Sequence, residues 1–168
     1  MIRWGVIGAG GFADARSIPG LKQSQSAHLQ AVMVRDASRA AALAQKHGAH
    51  EAYDTVEALV ASPNVDAVYV CTPVDLHPDH VEMAAAAGKH VLCEKPMALT
   101  VAQCQQMIET CRRHGVQLAV GYMVRYRPHC QMARRLIDQG RLGRIVAGRA
   151  QTVLWHAPSP TAWRHDPQ

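Results

Sequence analysis

The stretch Gly8-Ala9-Gly10-Gly11-Phe12-Ala13 has the spacing G-x-G-x-x-G/A and directly follows an apolar run. In that spacing the first small residue permits a tight turn, the second lets main chain approach a diphosphate, and the third lets helix and strand pack closely. Gly8, Gly10 and Ala13 fill those places, with Gly11 and Phe12 on the same turn. Free N–H groups at the start of the following helix, together with its dipole, would hold phosphate oxygens. Further along, Glu94-Lys95-Pro96 places an ammonium beside a carboxylate just past a second apolar run. A lysine so placed is a candidate proton donor or acceptor, although spacing alone equally allows a surface ion pair with Glu94. His77 and His80 stand three residues apart at a helix start, a spacing that can bind a metal. No cysteine or carboxylate cluster completes a set, so they read as helix-terminal histidines and no metal is expected.

These groups need a scaffold, and the hydrophobic pattern supplies one. Short apolar runs at Ile2–Ile7, Leu29–Val34, Ala67–Cys71, His90–Cys93 and Gln117–Gly121 read as strands buried on both faces. Helical segments lie between them. Ser38 is a candidate cap for Arg39–His47, Asp54 for Thr55–Ala61 and Thr100 for Val101–His114, while Asp79–Ala87 runs to Gly88. Repeated β–α–β units predict an α/β fold, a doubly wound parallel sheet, over residues 1–122. Ligands of such sheets bind beyond the carboxyl ends of the strands, here Cys71-Thr72-Pro73, Glu94-Lys95-Pro96 and Gly121-Tyr122-Met123. The end of the second strand, Val34-Arg35-Asp36, should meet the adenosine ribose. An acid there favours NAD and an arginine favours the extra phosphate of NADP, and both Arg35 and Asp36 are present.

Residues 123–168 read as the beginning of a second, incomplete α+β domain. They offer a helix, Pro128–Gln139, and a long strand, Ile145–Leu154, followed by a segment rich in proline and tryptophan. One helix and one strand cannot bury a core of their own. The lone strand, with Trp155 and Trp163, predicts a homo-oligomer.

Composition narrows the classes. The chain has 168 residues, 48% hydrophobic and 18% charged, enough for a packed core. It holds no run of about 18 apolar residues, so no membrane span is expected. Five cysteines without a CxxC pair, and no export signal, read as reduced thiols in a cytoplasmic protein. The net charge of +5 is uneven: stretch 122–168 carries 8 Arg against 2 Asp. These arginines are scattered without interleaved aromatic side chains, which argues against nucleic-acid binding.

In Val6–Ala13 (VIGAGGFA), Arg35–Gly48, Asp66–Pro73 (DAVYVCTP), Leu76-His77, Ala87–Thr100 (AGKHVLCEKPMALT), Val120–Pro128 (VGYMVRYRP), Gly140–Ile145 and Trp163-Arg164, the chain resembles the Gfo/Idh/MocA oxidoreductases. The resemblance implies a Rossmann domain binding NAD or NADP and hydride transfer between a nicotinamide and a sugar, cyclitol or similar polyol. It implies that Lys95 assists proton transfer at the substrate hydroxyl and that Glu94 lies near the nicotinamide ribose. Thr72, Pro73 and His77 would line the cofactor cleft, Arg125 would lie near nicotinamide and substrate, and Trp163 and Arg164 would approach the cofactor from the second domain. Family members continue into a large open sheet carrying an aspartate and a histidine of the catalytic set. The chain is therefore expected to be a shortened form that binds cofactor without useful turnover; the alternative is a non-catalytic dinucleotide-binding module.

Overall fold

A computed structural model of the chain describes residues 1–151. Its strands are β1 (Ile2–Ile7), β2 (Ala27–Met33), β3 (Glu51–Tyr53), β4 (Ala67–Val70), β5 (His90–Cys93) and β6 (Leu118–Val120). They form one parallel sheet in the order β3-β2-β1-β4-β5-β6. The helices are α1 (Ile18–Lys22), α2 (Ala37–His47), α3 (Val56–Ala61), α4 (His77–Ala86), α5 (Val101–Arg113) and α6 (Pro128–Asp138), with a π turn, Ala13–Ser17, leading into α1. This is the doubly wound Rossmann architecture.

Alternation along the buried strands sends side chains into two separate cores. On one side Ile7, Val68, Val70, Val91 and Cys93 pack with Leu59 of α3, Val81 of α4 and Met107 of α5. On the other Val6, Val32 and Tyr69 pack with Ala13, Ile18 of α1 and Leu43 of α2. The helices therefore change faces between β3 and β4. A right-handed crossover rule then forces β1 and β4 to be neighbours whose connections leave in opposite directions.

Several local expectations need correction. The cap of α2 is Asp36, not Ser38: its carboxylate accepts the Arg39 main-chain N–H at 2.8 Å, and the Ser38 hydroxyl donates to it at 2.6 Å. The cap of α3 is Thr55, not Asp54, its hydroxyl accepting from the Ala58 N–H at 3.3 Å. Thr100 caps α5 as expected, in a capping box closed by Gln103. β3 has no apolar run to announce it. It is pinned instead by Glu51, whose carboxylate accepts from Gln30, Tyr53, Ser62 and Asn64 at 3.0, 2.9, 2.8 and 2.7 Å.

Two ion clusters tie elements together. Asp14, in the π turn, accepts from Lys46 at 2.7 Å and lies 2.6 Å from His47 Nε2, both on α2, and these partners hold its carboxyl below the usual carboxylate range. At the opposite end of the sheet, Arg3 donates to Asp66 through its main chain at 2.8 Å and its guanidinium at 2.6 Å.

The chain divides after Met123 into a first unit, Met1–Met123, and a second beginning at Val124. In the second, α6 opens on Pro128 and buries none of its residues. The expected strand over 145–154 is not observed where it can be followed: residues 145–151 have no regular structure, and the remainder, with Trp155 and Trp163, lies outside the described residues. A strand exists only with a neighbour to complete its ladder, and the second unit's described residues contain no strand to supply one. Among the described residues no helix is long and apolar enough to cross a membrane.

The Arg3 pair sets an acid response. Arg3 depresses the Asp66 carboxyl from its ordinary 3.8 to about 2. Because the folded value is the lower one, the stabilisation is present above 3.8 and is lost as pH falls toward 2. In urea unfolding, Asp66→Asn should lower the midpoint at pH 6, and the gap from the parent chain should close progressively below pH about 4. A gap that stays constant across that range would contradict the assignment.

Candidate cofactor site

At the carboxyl ends of the strands, the turn after β1 faces the loops after β4 and β5. Gly8 has φ +80°, and a Cβ there would stand 2.9 Å from Thr72 Cγ2 and 3.0 Å from both the carbonyl carbon and oxygen of Cys71. Only glycine satisfies both the left-handed conformation and that approach of backbone to backbone. The Gly8 and Ala9 N–H groups both donate to the Met33 carbonyl at 3.0 Å, which locks the turn to the end of β2. Ala13 is buried against the strands and Phe12 is exposed.

Gly10 is different. A Cβ on it would meet only the guanidinium of Arg39, with one terminal nitrogen at 2.7 Å. The main chain here is thus open to a ligand, and the group above it is cationic. Arg39 was not foreseen from sequence; its only signal is a place three residues after Asp36, on the first turn of α2. Arg35 and Asp36 are both exposed at the end of β2. The Asp36 carboxylate already serves as the helix cap, and its donors hold its carboxyl below the usual range.

The loops after β4 and β5 are joined by His77, which is 1% exposed. Its Nε2 lies 2.9 Å from the Thr72 carbonyl, and its Nδ1 lies 3.1 and 3.2 Å from the Pro96 and Met97 carbonyls. Its ring is therefore turned into the structure beneath the cleft, where it spans the two loops. Thr72 Oγ1 lies 3.0 Å from Nδ1 of His80, whose imidazole burial shifts toward the neutral form. Pro73 is exposed. Among the described residues no group of three His, Cys, Asp or Glu side chains is placed to hold a metal.

Glu94 and Lys95 part company. Glu94 is 8% exposed, and its carboxylate accepts from the Tyr69 hydroxyl and from the Lys95 main-chain N–H at 2.9 Å. The Lys95 side chain is exposed, and among the described residues no carboxylate lies within ion-pair distance of it. Its ammonium is thus available to a ligand at the strand ends. Arg125 belongs to the second unit, where its guanidinium carbon lies 5.8 Å from the Tyr126 ring centre. Trp163 and Arg164 lie outside the described residues.

The main-chain turn, the small residues that shape it and the flanking cations fit a dinucleotide, and comparisons with known proteins agree. The model of an oxidoreductase family with an NAD-binding Rossmann fold matches residues 2–122. A 1,5-anhydro-D-fructose reductase from Ensifer adhaerens is 37% identical over 164 residues, covering 98% of this chain and 49% of that protein. A 3-ketoreductase from Actinomadura kijaniata, solved in complex with TDP-benzene and NADP, superposes with a TM-score of 0.76 at 32% identity, covering 83% of this chain and 44% of that one. A scyllo-inositol dehydrogenase from Lactobacillus casei, solved with NAD(H) and scyllo-inositol, gives 0.77 at 26%, covering 85% and 42%. The chain spans about half the length of the curated relatives it matches.

The two glycines should respond differently to an added methyl group. Gly8→Ala combines a disfavoured φ with a clash against fixed backbone and should cost about 1–3 kcal/mol in chemical denaturation. Gly10→Ala displaces only the tip of a flexible side chain and should stay within about 0.5 kcal/mol of the parent. Equal costs would show that the two positions are not distinguished as described.

Proposed function

The chain belongs to the Gfo/Idh/MocA oxidoreductase family, whose NAD-binding Rossmann fold it carries over residues 2–122, and from that premise we propose that it is the cofactor-holding part of an enzyme acting on a sugar, cyclitol or similar polyol. The observation that carries this reading is the glycine turn pressed against the end of β4 at the point where the winding of the sheet reverses. The nicotinamide, when bound, supplies the hydride chemistry. The turn 8–13 binds the diphosphate through N–H groups other than those of Gly8, Ala9 and Ala13, which donate to main-chain carbonyls; Glu94 accepts ribose hydroxyls, and the Lys95 ammonium gives or takes the proton at the substrate oxygen. Thr72 and Pro73 border the cleft. Arg125, Trp163 and Arg164 are proposed as further contacts to cofactor and substrate.

Of the two nicotinamide cofactors, NADP suits the rim better. Arg35 and Arg39 are cations exposed at the same rim as Asp36, whose Oδ1 caps α2. A guanidinium pairs with a phosphate dianion in a charge-assisted bond that a bare hydroxyl cannot match. The free thiols of the described cysteines fit a cytoplasmic setting.

Calorimetric titration decides between outcomes. The chain should bind NADPH at least about tenfold more tightly than NADH, as one added charge-assisted contact implies. Arg39→Ala should shrink that ratio to a few-fold while leaving NADH affinity nearly unchanged. Failure to bind either nucleotide would refute the proposal, and a preference for NADH would refute its NADP part. With a polyol added, the chain alone is expected to show no steady-state reduction of NADP.

A further inference from the structure

Tyr69 lies in the middle of β4, and the dinucleotide reading as it stands gives it no task. It is 8% exposed, with its ring in the core shared by Val6, Ala13 and Ile18. Its hydroxyl receives a hydrogen bond from Ser17 Oγ at 3.3 Å and donates to Glu94 Oε1. The other oxygen, Oε2, accepts the Lys95 N–H at 2.9 Å. The three groups thus form a one-way chain, Ser17 to Tyr69 to Glu94, running from the turn behind the diphosphate cradle to the loop after β5.

An ionised carboxylate accepts about four hydrogen bonds. Two are taken here, one on each oxygen, and both partners are rigid: a ring locked in the core and a main-chain amide. Just past the end of β6 lies Gly121, where a Cβ would stand 3.6 Å from Oε1. Gly121 thus sets no side chain against Oε1. Burial, with the hydrogen bond to Glu94 adding to it, pushes the Tyr69 phenol well above its ordinary range.

We propose that Tyr69 is a positioning residue for the nicotinamide half of the cofactor: its hydroxyl, steadied by Ser17, fixes the Glu94 carboxylate in the orientation that receives the ribose hydroxyls. The inference rests on the dinucleotide reading and adds a residue to it. It also gives the π turn a purpose, because Ser17 hangs from it.

The test is Tyr69→Phe in the whole chain, titrated with NADPH and separately with ADP, which lacks the nicotinamide riboside. The variant should lose about tenfold in NADPH affinity, the effect expected on losing a hydrogen bond to a charged group, with ADP affinity unchanged within about twofold. A purely structural role would weaken both ligands together. Glu94→Gln should show the same NADPH-only loss, and the double variant should lose no more than Glu94→Gln alone, since Tyr69 acts through Glu94. Unchanged NADPH affinity in Tyr69→Phe, parallel loss of both ligands, or additive losses in the double variant would each overturn the role of Tyr69 while leaving the cofactor reading intact. Absence of NADPH binding by the parent chain would overturn both.

Discussion

The structure depends on a contact between two pieces of main chain. Where the first strand ends, the backbone at Gly8 runs into the backbone of Cys71, with no room for a side chain between them. That contact exists because β1 and β4 are neighbours while their connections depart to opposite faces. The turn after β1 and the loop after β4 are set against each other by it. The turn 8–13 is pinned through its Gly8 and Ala9 N–H groups to the Met33 carbonyl, the loop after β4 is held by Thr72, and His77 carries the constraint across to the loop after β5.

The site divides accordingly into parts built by main chain and parts built by side chains. The turn needs only small residues and a helix start. The loop after β5 holds a buried carboxylate, Glu94, and burying one requires donors. Tyr69 and the Lys95 amide supply them, which turns Glu94 inward and leaves the Lys95 ammonium to face outward. Two adjacent charged residues that spacing alone could have paired with each other are separated by what lies beneath them.

What was legible in the chain follows the same division. β1, β4 and β5 are buried on both faces, so their apolar runs show them to within a residue, and the glycine spacing reveals the turn. β3 escaped notice because it is a three-residue edge held by Glu51, a polar anchor that resembles loop sequence. The caps of α2 and α3 were misplaced by one or two residues because Asp36, Ser38, Asp54 and Thr55 are all good capping types; the choice falls on whichever residue stands extended just before the helix. Side chains whose partners are distant in sequence left no mark. Tyr69 reads as one more bulky residue in an apolar run, Arg39 as one more helix arginine, and His77 gives no hint that both its nitrogens point at main-chain carbonyls.

One acid deserves comparison with the rest. Asp14 sits on the first turn after the glycine-rich segment, where the amides of the cradle should be most positive. A bare negative charge there would compete with any polyanion for the same field. Lys46 and His47 draw that carboxylate onto α2 instead, and the Lys46 ammonium pairs with it where it lies. The attachment of the two helices therefore doubles as electrostatic housekeeping: a seam between secondary elements also keeps the doorway free of repulsion.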